Sequence, residues 1–212
     1  MFIIVLEILG LVSFAVSGVV TAMHKKMDIF GAYMLALITC FGGGVIRDLI
    51  LGRTPPAVFS QPIYSITATI TTAVFLIAPL RRSIMRQKKI YEFLLFLMDS
   101  IGLGAFTVVG VTASVAVFPE YTFTLHIFIG LITGVGGGIL RDTLAGDIPY
   151  IFVKHIYALA SLAGATVCVG LLYFTSISIS AAAGIGAAVI LTIRCLSAYY
   201  KWNLPALEDD KK

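Results

Sequence analysis

The chain of 212 residues is 59% hydrophobic and 12% charged, with a mean hydropathy of +1.01. Soluble domains average roughly 45–50% apolar and about 25% charged residues, so this composition excludes a water-soluble domain and indicates an integral membrane protein. The net charge of +4 does not indicate nucleic acid binding, because most Lys and Arg residues lie in short segments between apolar runs, where they orient membrane spans.

Seven segments of the chain are long and apolar enough to cross a bilayer, whose core of about 30 Å takes roughly 20 helical residues. The first segment carries Glu7 and lacks the basic N-terminal region of a secretory signal, so we predict a retained span. Residues 156–193 contain no charge and would measure roughly 57 Å as one helix. We therefore predict two spans there, joined by a turn at "FTSIS". The predicted spans are residues 2–22, 29–50, 62–80, 90–111, 122–140, 150–173 and 177–197.

The orientation of the spans follows from the basic segment "RRSIMRQKK" between the third and fourth spans, which has five basic residues and no acidic one. The positive-inside rule places such a segment in the cytoplasm. The N-terminus is then outside and "HKKMD" is inside. The tail from Arg194 through Lys201 to the "EDDKK" end is also predicted to be inside.

An internal repeat relates the first three spans to the next three. "EILGLVSFAVSGV" from Glu7 aligns with "DSIGLGAFTVVGV" from Asp99 at an offset of 92, and "GGGVIRD" aligns with "GGGILRD" at an offset of 94. "PAVFSQPIY" aligns with "PYIFVKHIY" at an offset of 93. The alternative is that two groups of three helices look alike by chance because both are apolar and Gly-rich, and the shared charged motif argues against it.

The repeat predicts the architecture of an all-α polytopic membrane protein. Because each unit has three spans, the second unit enters the membrane from the opposite side, which makes an inverted repeat. Such architectures commonly place a permeation or substrate site near the membrane midplane. The predicted units are a first repeat over residues 1–80, a second, inverted repeat over 90–173, a seventh helix over 177–198 and a cytoplasmic tail over 199–212.

The glycine triplets are the first candidate functional feature. Each Gly in a helix interior costs roughly 1 kcal/mol relative to Ala, so a triplet needs a compensating role. One role is a kink whose freed carbonyls line a wet path and transiently hold K⁺ or Na⁺. The other is close packing of helices. The residues concerned are Gly42, Gly43, Gly44, Gly136, Gly137 and Gly138.

Each triplet is followed by a charged pair, Arg47 with Asp48 and Arg141 with Asp142. Ionisable residues at membrane depth usually face a protein interior or an aqueous cavity and are paired. Adjacent residues point in different directions on a helix, so we expect each charge to pair with groups on other helices rather than with its neighbour. The alternative is a cluster of charges at the headgroup level. In a conducting path these residues would be pore charges or a gate.

Two further acids and several hydroxyls lie within the spans. Glu7 and Asp99 are equivalent in the repeat; Asp99 is predicted to lie deeper and to face the path, whereas Glu7 can reach outwards. Hydroxyls could replace part of an ion's hydration shell, or they could bond to the backbone of their own helix. The candidate pore hydroxyls are Ser13, Ser17, Thr39 and Thr133.

The sequence offers no catalytic or cofactor motif. Nucleotide-binding, zinc-protease and serine-hydrolase patterns are absent from the sequence, so we predict neither an enzyme nor a bound cofactor. Cys40, Cys168 and Cys195 lack the spacing of a disulfide framework or a metal site. His126, in an apolar run, is interpreted as a packing residue.

Seven spans, a three-plus-three repeat with one extra helix, and the paired motifs "GGGVIRD" and "GGGILRD" resemble the prokaryotic members of the trimeric intracellular cation channel (TRIC) family. The resemblance covers about residues 2–198. It implies a homotrimer in a prokaryotic plasma membrane, surrounded by lipid, with one pore per protomer. The pore would conduct K⁺ chiefly, with Na⁺ also permeant. The kinks would fall at the two Gly triplets, with the following Arg and Asp residues in the pore region.

The chain departs from the animal members of that family in one motif. Animal members have a Lys-Glu-Val-containing basic motif after a Gly triplet, which is associated with inositol-lipid binding, and this chain has "VIRD" and "ILRD" instead. Regulation of the animal type is therefore not expected. The same domain in some bacterial proteins is tied to glycine transport, so a secondary transporter for glycine or another small amino acid is the alternative function.

Overall fold

A computed structural model of the chain describes residues 1–77, 84, 86–153 and 156–202. Within these ranges the regular structure is α-helical, without strands. The helices are α1 (Phe2–His24), α2 (Ile29–Ile50), α3 (Ala57–Ser60), α4 (Pro62–Leu76), α5 (Lys88–Val117), α6 (Phe123–Leu144), α7 (Tyr150–Val153), α8 (Tyr157–Phe174) and α9 (Ile179–Tyr199).

Helix starts follow from local sequence. Asp28 precedes α2, and its side chain accepts a hydrogen bond from the Gly31 amide at 2.6 Å. The Ser178 hydroxyl precedes α9 and accepts from the Ala181 amide at 3.2 Å. Such caps satisfy amides that have no partner within the helix. Pro62 occupies the first turn of α4, where the missing N–H of proline has no cost.

Six helices in the described residues are long and apolar enough to cross a membrane: α1, α2, α5, α6, α8 and α9. The chain is therefore an all-helical, polytopic membrane protein. The predicted third span, residues 62–80, begins as predicted at Pro62, and α4 has 15 residues, which measure roughly 22 Å. Residues 78–80 of that prediction lie outside the described ranges, so the third span, and with it the count of seven spans, stays a prediction.

Several predicted boundaries agree with the structure. Helix α2 has the predicted ends, and the turn at "FTSIS" lies between the last residue of α8, Phe174, and the first residue of α9, Ile179. The predicted sixth span, residues 150–173, corresponds to two helices in the described residues, because α7 begins at Tyr150 and α8 begins at Tyr157. The Asp142 carboxylate accepts from the Tyr150 amide and so caps a separate short helix. Residues 203–212 of the predicted tail and residues 81–83 and 85 of the basic segment lie outside the described ranges.

Helices α1, α2, α5 and α6 pack in the order α2–α1–α5–α6, and α2 also packs against α6. Helix α4 packs against α1 and α2, while α8 packs against α5 and α6 and α9 packs against α5 and α8. The central four helices thus form a closed ring of contacts, and they carry both glycine triplets and the charged pairs that follow them.

The two ends of this bundle can be identified by contacts between loops. Lys25 Nζ is 2.5 Å from Asp147 Oδ1, and the His24 ring stacks on Tyr91 with centroids 4.5 Å apart. The end of α1, the start of α5 and the end of α6 therefore share one end of the bundle, here called the inner end. The opposite end, near the start of α1, is called the outer end.

Candidate functional site

The glycine triplets form the crossing of α2 and α6. A Cβ atom on Gly43 would overlap the carbonyl oxygen of Thr133, and a Cβ on Gly137 would overlap the carbonyl oxygen of Thr39. A Cβ on Gly136 would lie 3.1 Å from the Gly43 Cα atom. Both helices continue without interruption through their triplets. The middle glycines thus serve close packing of backbone on backbone, and the predicted kinks stay a prediction.

The third glycine of each triplet faces polar groups instead. A Cβ on Gly44 would have only Arg47 Nη2 within 4.0 Å. A Cβ on Gly138 would lie 3.2 Å from the Tyr157 hydroxyl. Gly42, the first of its triplet, faces an aliphatic side chain. The triplets therefore combine two roles, with packing at their centre and space beside a charged cluster at their end.

The outer cluster gathers side chains from α1, α2 and α4 near the outer end. Arg47 Nε donates to Asp48 Oδ1 at 2.8 Å, and Asp48 Oδ2 accepts from the Ala57 amide at 2.9 Å. The Tyr64 hydroxyl donates to Glu7 Oε2 at 2.7 Å. Arg47 Nη1 lies 3.9 Å from Glu7 Oε1, and 19% of the Glu7 side chain is exposed. The outer cluster is thus half-open, with a loose ion pair between helices.

The inner cluster has the equivalent arrangement near the inner end. Arg141 Nε donates to Asp142 Oδ1 at 2.8 Å, and Asp142 Oδ2 accepts from the Tyr150 amide at 2.9 Å. Arg141 Nη1 donates to Asp99 Oδ1 at 2.7 Å and also to Ser17 Oγ. The Asp99 and Arg141 side chains are 0% and 1% exposed. Asp99 is thus more buried in the protein than Glu7, and its predicted position facing a path stays a prediction.

The prediction that each Arg and its neighbouring Asp would pair with other helices rather than with each other is wrong. Arg47 bonds to Asp48 and Arg141 bonds to Asp142. The long arginine side chain folds back over its neighbour, because the second carboxylate oxygen is already fixed on the amide that starts the next short helix. The arginines nevertheless also reach acids on other helices, as the pairing rule for membrane charges predicts.

A small cavity adjoins the outer cluster. Its volume is ≈ 40 Å³, above the roughly 10–15 Å³ that one water molecule needs. Three of the residues around it carry charge, two acids and one base, and Gly44 and Phe106 complete its deeper wall. The lining residues are Glu7, Leu11, Cys40, Phe41, Gly44, Arg47, Asp48, Val58 and Phe106.

An aromatic pair lies between the two clusters. The Phe14 and Phe106 rings are 5.2 Å apart between centroids. A Cβ on Gly102 would overlap the Phe14 ring, and one on Gly10 would lie 3.0 Å from the Phe106 ring. Phe14 follows Glu7 by two helical turns and precedes Ser17 by three residues. The rings therefore separate the outer cluster from the inner cluster along α1 and α5.

The predicted pore hydroxyls have different partners. Thr39 donates to the Leu35 carbonyl and Thr133 to the Ile129 carbonyl, both at 2.6 Å, so both bond within their own helix. Ser13 is buried, with 3% exposure. Of the four predicted hydroxyls, Ser17 is the one that contacts a charged candidate residue, Arg141.

Arg194 was predicted within the seventh span and at its cytoplasmic end, where it would orient the span. It lies within α9 and is 2% exposed. Its Nε donates to Ser100 Oγ at 3.2 Å, and its Cζ is 4.8 Å from the centroid of the Tyr157 ring and 5.0 Å from that of Phe96. The helix continues to Tyr199, so the arginine faces α5 and α8 rather than water.

Two tyrosines beside the clusters were not among the residues predicted from the sequence. Tyr64 bonds to Glu7, and a Cβ on Gly138 would touch the Tyr157 hydroxyl, which lies beside the inner cluster. A signal was present, because both tyrosines end the motifs "PAVFSQPIY" and "PYIFVKHIY". His126 is buried and hydrogen-bonded to Ser114 at 2.8 Å and to Tyr173 at 2.9 Å, which confirms its interpretation as a satisfied packing residue.

Comparison with protein families and curated proteins finds relatives along nearly the whole chain. A family model described as "Glycine transporter" matches residues 4–79 and 96–173. The UPF0126 inner membrane protein YadS of Escherichia coli K12 is 33% identical over 206 residues, which cover 97% of this chain and 96% of that protein. The UPF0126 membrane protein YvgT of Bacillus subtilis is 36% identical over 210 residues, with 94% of each chain covered.

Solved structures similar to this fold are TRIC channels. One, described as showing the basis of conductance through TRIC cation channels, has a TM-score of 0.86 at 31% identity and covers 98% of both chains. The TRIC orthologue from Rhodobacter sphaeroides has a TM-score of 0.84 at 33% identity, covering 94% of this chain and 98% of that one. A channel from C. elegans, at 16% identity and a TM-score of 0.66, shares the fold.

Proposed function

Because the chain belongs to the prokaryotic TRIC channel family, which includes the UPF0126 membrane proteins, we propose that it conducts monovalent cations, with K⁺ preferred and Na⁺ permeant. Each protomer of a homotrimer would contain its own path between α1, α2, α5 and α6. The path would run from the outer cavity past the aromatic pair to the inner cluster. In this conformation the aromatic pair and the buried Arg141 would close it.

The observation that carries this proposal is the charge of the outer cavity. Its charged lining residues are Glu7, Asp48 and Arg47, so two negative charges surround one positive charge and leave a net charge of −1. A water-sized cavity with one uncompensated carboxylate attracts a small cation and repels an anion. Arg47 would repel a cation if it were alone, but Asp48 holds its guanidinium at 2.8 Å.

Two further features of the architecture belong to the same proposal: seven spans and an inverted repeat. Equivalent positions make equivalent contacts, since Gly43 meets Thr133 where Gly137 meets Thr39. Helix α4 would then belong to the third span. The N-terminus would lie outside and the end of α9 in the cytoplasm.

A glycine carrier is the second candidate, favoured by the description of the matching family model and by the chemistry of the outer cavity. Glycine carries a carboxylate and an ammonium group, and the cavity offers the Arg47 guanidinium and the Glu7 carboxylate within one site. Two related charged clusters on either side of a closed centre also suit alternating access.

Purified protein in a planar bilayer under a KCl gradient tests the channel proposal. We expect unitary currents that reverse near the K⁺ equilibrium potential, and bi-ionic measurements with NaCl should show a smaller Na⁺ permeability. If unitary currents are absent while reconstituted vesicles take up glycine in a saturable, ion-dependent manner, the channel proposal is wrong and the carrier is favoured. Protein-free bilayers and vesicles are the controls.

A further inference from the structure

The two arginine clusters are alike in sequence and unlike in how firmly the arginine is held. Arg141 is 2.7 Å from Asp99, with both side chains almost fully buried. Arg47 is 3.9 Å from Glu7, whose side chain is partly exposed beside the outer cavity. The inner cluster is therefore buried and tightly paired, and the outer cluster adjoins a cavity and is loosely paired.

One residue difference between the two repeats accounts for a hydrogen bond that Arg141 makes and Arg47 does not. Arg141 Nη1 donates to both Asp99 and Ser17, so Ser17 on α1 adds a second helix to the pair. The offset of 92 that aligns Glu7 with Asp99 also aligns Ser17 with Val109. Val109 is buried on α5, and its hydrocarbon side chain offers no acceptor. The outer arginine thus lacks the bond that the inner arginine makes.

The surrounding contacts of the two positions are otherwise equivalent. Gly18 and Gly110, the residues that follow Ser17 and Val109, pack against the hydroxyl groups of Thr39 and Thr133 respectively. Both segments therefore approach the neighbouring helix in the same way. The bond from Arg141 to Ser17 therefore does not require a different backbone, since the Ser17 hydroxyl supplies its acceptor.

We infer that Ser17 is a positioning residue that holds Arg141 against Asp99 and thereby makes the inner cluster the gate, while Val109 leaves the outer cluster accessible from its own end of the bundle. This inference rests on the proposed path for cations. It assigns different roles to two half-sites with nearly identical motifs: the outer cluster admits the cation, and the inner cluster closes behind the aromatic pair until Arg141 leaves Ser17 and Asp99.

The expected size of the effect follows from one buried hydrogen bond. Side-chain hydrogen bonds between membrane helices contribute about 0.6 kcal/mol on average and up to about 1.7 kcal/mol. Removing the Ser17 hydroxyl should therefore raise the population of the open inner gate by roughly threefold to eighteenfold. Arg141 retains Asp99 and Asp142 in that variant, so the protein should still fold.

The native Cys40 provides a readout that does not depend on current. Cys40 lines the outer cavity, and Ag⁺, a monovalent cation that reacts with thiols, can report access to it from either side of oriented vesicles. The background variant would carry Cys168→Ser and Cys195→Ser, so that Cys40 is the remaining thiol. Ag⁺ applied at the inner end must also pass the aromatic pair, which the variants leave intact, so the change in its reaction rate between variants measures the change in opening of the inner gate.

Reciprocal substitutions test the inference. Ser17→Val should raise the inner-side Ag⁺ rate at Cys40 by at least threefold, and Ser17→Thr, which keeps the hydroxyl, should restore the original rate. Val109→Ser should lower the outer-side rate, because it gives Arg47 a new acceptor. Thr166→Val removes a hydroxyl that bonds within α8 and serves as the control for a lost hydroxyl elsewhere.

The inference is overturned if Ser17→Val leaves the inner-side rate unchanged while size-exclusion profiles show intact protein, or if Ser17→Thr behaves like Ser17→Val. If Val109→Ser fails to fold, the comparison of Ser17→Val with Ser17→Thr still tests the inference. Failure of the proposed function is distinguishable, because a protein without unitary cation currents still reports the sidedness of Cys40 access.

Discussion

Replacing the middle glycine of a triplet tests the packing role of the α2–α6 crossing. In Gly43→Ala the new Cβ would overlap the carbonyl oxygen of Thr133. That oxygen belongs to the backbone of α6, so no side-chain rotation can relieve the contact. Overpacking of this kind typically costs about 1–3 kcal/mol, and the gain in helix propensity over glycine offsets about 1 kcal/mol. We expect a net loss of up to about 2 kcal/mol, at the upper end of this range because the contact is with backbone.

The matched control lies one residue further along the same triplet. In Gly44→Ala the new methyl group meets nothing nearer than Arg47 Nη2 at 4.0 Å, so no steric cost is expected. The substitution should be neutral or stabilising by up to about 1 kcal/mol. It also places a methyl group in the outer cavity, so we expect a reduced unitary conductance.

Thermal denaturation followed by size-exclusion chromatography in detergent measures the first effect, and planar bilayer recording measures the second. Gly43→Ala should melt below the unsubstituted protein, and Gly44→Ala should melt at or above it. The packing interpretation is refuted if Gly43→Ala melts like the unsubstituted protein and Gly44→Ala is the destabilised variant. Unchanged conductance in Gly44→Ala would instead contradict the assignment of the outer cavity to the path.

Two further substitutions separate the buried cluster from the half-open one. Asp99→Asn removes a fully buried charge that pairs with Arg141, and we expect a loss of about 3 kcal/mol in thermal denaturation, at the lower end for a broken buried pair because Asp142 remains. Glu7→Gln should change stability by less than about 1 kcal/mol, because its ion pair is loose and partly exposed. Glu7→Gln should instead lower the K⁺ over Cl⁻ selectivity measured from reversal potentials, and equal selectivity in both proteins would contradict the role of the outer cavity.

The sequence predicted the positions of the helices well where hydrophobicity alone sets them. Helix α2 has the predicted ends, and α1 extends two residues beyond its prediction to His24. The sixth span was predicted as one helix from residue 150, whereas α7 begins at Tyr150 and α8 begins at Tyr157. Hydropathy does not reveal that the Asp142 carboxylate caps the Tyr150 amide eight residues later. Boundaries fixed by a distant side chain need the folded structure.

The candidate site was predicted less completely than the fold. The repeat identified the acids and arginines that meet in each cluster, because equivalent motifs occupy equivalent places. It did not reveal Arg194, since a charge near the end of an apolar helix has the same sequence signature whether it faces water or a neighbouring helix. Nor did it reveal how Arg47 and Asp48 pair, because the direction of a long side chain depends on acceptors that other elements supply.

The difference between Ser17 and Val109 bears on the choice between channel and carrier. In a carrier, opening of the inner gate must be accompanied by closure of the outer gate, because the substrate site must not be accessible from both sides of the membrane at once. In a channel, both ends are open together when ions pass. Ser17→Val should open the inner gate without touching Arg47 or the outer cavity. An outer-side Ag⁺ rate at Cys40 that stays constant while the inner-side rate rises therefore indicates two independent gates and a channel. An outer-side rate that falls as the inner-side rate rises indicates coupled gates, and with them alternating access.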